Sequence, residues 1–125
     1  MIPDIPVYII DDSAFGKKIM KQLIDEGFNN VVVFKSTAEF FEEIEYEPEV
    51  VIVNQNFKEM NAIRLIQRAK NVSAELYTIL FSAEKRTDDS IYYDQRCLGL
   101  VDHILEKNTD GLHELVDVLM AEVVS

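Results

Sequence analysis

Three stretches, Val7–Ile10, Val50–Val53 and Tyr77–Phe81, read as continuous apolar runs. A strand with one wet face alternates apolar and polar side chains, whereas a strand covered on both faces does not. These runs therefore ask for a parallel sheet sandwiched between helix layers. Two further strands, Val31–Phe34 and Val101–Leu105, complete a set of five. Between the strands lie helical patterns. The first, from about Ala14 to Glu26, places Phe15, Ile19 and Leu23 on one face, and Gly27 follows as a stop. The second opens with Ser36-Thr-Ala-Glu39, a capping box, and turns Phe40, Phe41 and Ile44 inward. Pro48 breaks the chain before the third strand. The third helix carries Ile63, Ile66 and Ala69 or their neighbours inward, and the fourth, Asp88–Leu98, contains Ile91, Tyr92 and Cys97. The fifth has an apolar stripe of Leu112, Leu115, Val116, Leu119, Met120 and Val123. Strand-helix alternation of this kind gives a doubly wound α/β fold.

At 125 residues the chain is the size of one domain, and no linker or repeat divides it. Twelve Lys and Arg stand against 23 Asp and Glu, a formal charge of −11. Phosphate backbones repel such a surface, so no nucleic acid is expected as a partner. The single cysteine, Cys97, permits no internal disulfide and points to a reducing, cytoplasmic setting. No basic stretch precedes the first apolar run, and no run is long enough to cross a bilayer, so neither a signal peptide nor a membrane partner is expected. A monomer or weak homodimer is expected.

In doubly wound folds ligands bind beyond the carboxyl ends of the strands. The residues there are Asp11 and Asp12 after the first strand, Asn54 after the third, Ser82 and Ala83 after the fourth, and Glu106 and Lys107 after the fifth. Adjacent carboxylates repel unless a cation neutralises them. Hard oxygen ligands suit Mg²⁺, which needs only one or two carboxylates plus waters, so Asp11 and Asp12 are candidates for a weak Mg²⁺ site. Against this stands a plainer reading in which Asp11 caps the first helix and Asp12 is solvated. The sequence offers no His/Cys cluster for zinc, no Gly-rich phosphate loop and no Ser-His-Asp order.

The segment "VYIIDDSAFGKKIMKQLIDEGF" resembles the opening of response-regulator receiver domains of two-component signalling. The resemblance runs from Val7 to about Val123. The family's acidic pair matches Asp11 and Asp12, its Ser/Thr-Ala matches Ser82-Ala83, and its turn into the third helix matches Glu59–Ala62. "GLVDHILEKN" is similar to the family segment that ends in Lys-Pro. The resemblance implies a (βα)5 flavodoxin-like receiver fold, strand order 2-1-3-4-5. It also implies a signalling role through the face formed by helix four, strand five and helix five. An exposed Tyr92 or Tyr93 on that face would be a contact.

The departures redirect the function. Asn54 stands at the phosphoacceptor position, and an amide has no anionic oxygen to attack phosphorus. Lys58 replaces the proline of the acceptor loop, and His103 holds the aromatic switch position. The family lysine falls on Glu106 and its proline on Lys107. Two alternatives follow. Either Glu106 enters the pocket and crowds it with anions, or the loop slips by one residue and Lys107 enters to pair with Asp11 or Asp12. Ser82, the phosphoryl ligand of the family, would here satisfy a backbone group, and His113 is a surface residue. The expectation is an atypical stand-alone receiver, no enzyme, acting by phosphorylation-independent protein–protein interaction. The alternative is a divalent-cation sensor using the retained acidic pocket.

Overall fold

The computed structural model describes residues 4–46, 48–83 and 99–124. The strands β1 (Val7–Ile10), β2 (Val31–Phe34), β3 (Val50–Asn54), β4 (Tyr77–Ser82) and β5 (His103–Glu106) form one parallel sheet in the order β2-β1-β3-β4-β5. The helices are α1 (Ala14–Asp25), α2 (Thr37–Glu43), α3 (Ala62–Val72) and the C-terminal α4 (Thr109–Leu119). A 3-10 turn, Ile44–Tyr46, extends α2. The helix expected over Asp88–Leu98, with Tyr92, Tyr93 and Cys97, lies outside the described residues. No described helix is long and apolar enough to cross a membrane.

Strand alternation divides the core into two layers. Tyr8, Ile10, Phe34, Val51, Val53 and Leu80 face the side covered by α2 and α3, where Phe40, Ile44, Leu65 and Ile66 meet them. Val7, Ile9, Val50, Ile52, Ile79 and Phe81 face α1 and α4, against Ile19, Leu23, Leu112, Leu115 and Leu119. Both faces of β1, β3 and β4 are thus dry, which is why those runs carry no polar alternation.

Side chains start every described helix. Ser36 Oγ accepts from Glu39 N, Asn61 Oδ1 from Ile63 N and Arg64 N, and Asn108 Oδ1 from Gly111 N, each bond satisfying an orphan donor of a first turn. At the other end of α1, Gly27 adopts φ 103°, the left-handed conformation that a glycine reaches without strain.

Three expectations are corrected. Strand β5 covers His103–Glu106 rather than Val101–Leu105. Before it, Thr78 Oγ1 donates to Leu100 O, and the Asp102 carboxylate accepts from Thr78 N–H. These bonds hold the approach to the strand in a non-ladder geometry, so Val101 packs without pairing. Met120, expected on the apolar stripe, is exposed. The helix widens into a π turn over Met120–Val124, and the longer period rotates the stripe away from the core. Phe41 is half-buried rather than inward, with the Arg68 guanidinium 4.3 Å from its ring centroid.

Candidate functional site

The parallel register brings the strand ends to one edge of the sheet. Ile10 lies beside Val53, so Asp11 and Asn54, the next residues on each strand, become neighbours. Asn54 in turn pairs with Phe81, and Ser82 with Glu106.

Asp11 is fully buried and Asn54 is 1% exposed. A carboxylate in such a place needs donors. Asp11 Oδ1 accepts three: Ser13 N–H at 2.8 Å, Ser13 Oγ–H at 2.6 Å and Asn54 Nδ2–H at 3.0 Å. Its Oδ2 is buried with no hydrogen-bond partner among the described residues. Ser13 is the N-cap of α1 and also accepts from Phe15 N–H at 3.3 Å, so the start of α1 is fastened to the end of β1. Gly16 permits this approach: a Cβ there would stand 2.9 Å from that of Asp11. Asn54 uses both ends of its amide, since Oδ1 accepts from Asn56 N–H at 3.0 Å. Its NH₂ group lies against the carboxylate, and its carbonyl oxygen holds the loop that leads to α3.

Alternation along β3 puts Asn54 on the α1 side and Gln55 on the other. Ser82 donates to Gln55 Oε1 at 2.9 Å. The structure therefore makes two adjoining pairs, Asp11–Asn54 and Gln55–Ser82, rather than one converging set. Asp12 is exposed. Glu106 Oε2 accepts from Asn108 Nδ2 at 2.9 Å, outside the Asp11–Asn54 network. Lys107 has Nζ 5.6 Å from the Phe15 ring centroid, and its backbone N–H donates to Ser82 O at 2.8 Å. Lys107 thus follows Leu105 to the α1 side of the sheet, but among the described residues it forms no ion pair with Asp11 or Asp12. His103 sits 3.6 Å from Glu114 Oε1, beyond hydrogen-bond reach but close enough to pair if the imidazole is protonated. His113 is exposed.

Ser13 and Gln55 were absent from the sequence-derived site. Ser13 carried a signal, a serine directly before an apolar-periodic helix. Gln55 carried none, because only the β3–β4 pairing brings it to Ser82.

Oxygen donors of the type Mg²⁺ requires are present: the orphaned Asp11 Oδ2 and the solvated carboxylate of Asp12 beside it in sequence. Among the described residues no group of three or more His, Cys, Asp or Glu side chains converges, so any such ion would be held chiefly by waters. Asn54 presents a carboxamide, whose nitrogen is a weak nucleophile with its lone pair delocalised.

No protein-family model matches the chain, and no curated protein matches it. Solved structures do. The signal receiver domain of the response regulator NarL from Mycobacterium tuberculosis is 19% identical, with TM-score 0.76 over 95% of this chain and 98% of that one. HP1043, an orphan response regulator of H. pylori, is 18% identical, with TM-score 0.74 over 97% and 98%. The chemotaxis response regulator CheY4 of Vibrio cholerae is 16% identical, with TM-score 0.74 over 91% and 97%. With five parallel strands in the order 2-1-3-4-5 and these neighbours, the chain has the fold of response-regulator receiver domains.

Proposed function

We propose that this chain is an atypical receiver domain that acts in signal transduction by binding partner proteins, without accepting a phosphoryl group and without catalysing a reaction. One observation carries the reading: Asn54 occupies the end of the central strand, buried, with its NH₂ bonded to the Asp11 carboxylate. In an acidic pocket that must work without an added cation, this amide supplies neutral donors to a buried anion. The partner face is the side of β5 and α4, where His103, Ile104 and Glu106 are part-exposed. The chain works as a monomer or weak homodimer, and its single cysteine fits a reducing, cytoplasmic setting.

The test is beryllofluoride with Mg²⁺, read by amide NMR. The expected result is an unchanged spectrum around Asn54 and Ser82; saturable shifts there overturn the reading. A second reading, a divalent-cation sensor, is favoured by the buried Asp11 Oδ2, which has no hydrogen-bond partner among the described residues. Asp11 and Asp12 would hold the ion, which would supply neutralising charge. Mg²⁺ alone, in the same titration, decides it. Saturable shifts at Ser13 and Asn54 that Asp12→Ala abolishes support a sensor, and flat spectra at millimolar Mg²⁺ end the idea.

A further inference from the structure

Strand β2 is an edge of the sheet, and among the described residues no further strand pairs with it. Natural edges are blunted by lysine, proline, bulges or a covering element. β2 reads VVVF, has no charge or proline, and pairs with β1 in unbroken register from Val31 to Phe34. Val7 N–H donates to Asn30 O and Asp11 N–H to Phe34 O, so the even positions serve the inner ladder. Alternation then turns the backbone groups of Val31 and Val33 to the open side.

The face above this edge is also incomplete. Helix α2 ends at Glu43 and covers Phe34 with Phe40, whose ring centroids lie 5.9 Å apart. It does not reach over Val32, which is 39% exposed. A cleft of about 290 Å³ remains between the two elements, lined by Tyr8, Val32, Phe34, Glu39, Glu42 and Glu43. Its floor is apolar and its rim carries three carboxylates. Among the described residues no lysine or arginine lines the cleft, and Arg68 instead covers Phe41.

We propose that the β2–α2 cleft docks an extended segment of a partner protein that carries an apolar residue and a lysine or arginine two positions apart, so that both face α2. The segment adds a strand along Val31–Phe34, seats an apolar side chain on Val32 and Phe34, and pairs its cations with Glu39, Glu42 and Glu43. Charge selects this occupant over a second copy of the chain. Each copy carries a net −11, and pairing two such edges would bring two acidic rims together. The inference rests on the reading that the chain acts by binding proteins, but it uses another surface. A beryllofluoride response at Asn54 would overturn the phosphorylation-independent reading and leave the β2 edge untouched.

The test titrates the full chain with a short extended peptide in which leucine and lysine sit two positions apart with threonine between them, and with a control that carries glutamate in place of lysine, followed by amide NMR. The expected result is saturable shifts confined to residues 31–34 and 39–43 with the basic peptide alone. The variant E39Q/E42Q/E43Q, which keeps the capping residue as glutamine, is expected to weaken binding on the order of tenfold. Val32→Lys is expected to abolish binding while leaving the thermal midpoint in place, since the site is solvent-facing. The proposal is overturned if no saturable shifts occur, if the acidic peptide binds equally, or if the same shifts arise on concentrating the chain by itself.

Discussion

Replacing Asn54 with aspartate puts a carboxylate at the end of β3, and it tests what the amide does there. The amide nitrogen stands 3.0 Å from Asp11 Oδ1, and both side chains are buried. A carboxylate oxygen in its place sets two like charges about 3 Å apart, a repulsion of roughly 5 kcal/mol at an effective permittivity of about 20. The variant also loses a hydrogen bond to a charged acceptor, about 1.5–3 kcal/mol. Protonation sets the ceiling: holding one ordinary carboxyl neutral near neutral pH costs about 4 kcal/mol. The expected loss is therefore about 2–4 kcal/mol near neutral pH without divalent cation, a large part of the roughly 5–15 kcal/mol typical of a domain.

The sign of the pH dependence follows from linkage. A folded variant that retains a shared proton binds it more tightly than its unfolded chain. Its penalty is absent below about pH 4, where the unfolded carboxyls are also protonated, and grows as pH rises toward neutrality. Urea unfolding of both proteins across that range, followed by circular dichroism, measures the difference curve. Millimolar Mg²⁺ is expected to recover part of the loss in the variant, because an ion can do what the amide did. A variant as stable as the parent near neutral pH without divalent cation, or a loss that does not change with pH, refutes the reasoning.

Two further outcomes follow from other parts of the molecule. In Gly111→Ala the added Cβ would collide with the carbonyl oxygen of Glu106, so the first turn of α4 must lift off the end of β5. The expected cost is about 3 kcal/mol, read as a lowered urea midpoint with an unchanged slope, and a cost below about 1 kcal/mol contradicts the close approach. The Tyr77 phenol is held above its ordinary range by burial first, then by the charges of Glu122 and Asp102. The unfolded chain then releases this proton before the folded one, so stability falls as pH rises above about 10, and Tyr77→Phe is expected to flatten that fall.

The sequence discloses the sheet because both faces of β1, β3 and β4 are dry, and dryness writes itself as an unbroken apolar run. Helix starts are equally open to reading where a cap is local, as at Ser36 and Glu39. The β5 boundary is not local. It depends on Thr78, more than twenty positions away, tying down Leu100 and Asp102, and no property of Val101 announces that. The same division runs through the candidate site. That Asn54 is not a carboxylate is plain from one letter. What the amide does requires the β1–β3 register, which places its NH₂ on Asp11 rather than in solvent. Glu106 and Lys107 are harder still, since one residue of slip exchanges their faces, and the outcome is set by packing at the strand end. Asn108 and Gly111 dock α4 against Glu106, and that contact turns the glutamate toward the helix cap. Lys107 is left to follow Leu105 toward Phe15. A pocket can thus keep its strand-end positions while each side chain there answers to a different neighbour. For this reason Asn54, buried at the end of the central strand against Asp11, is a residue whose replacement is expected to disturb the fold.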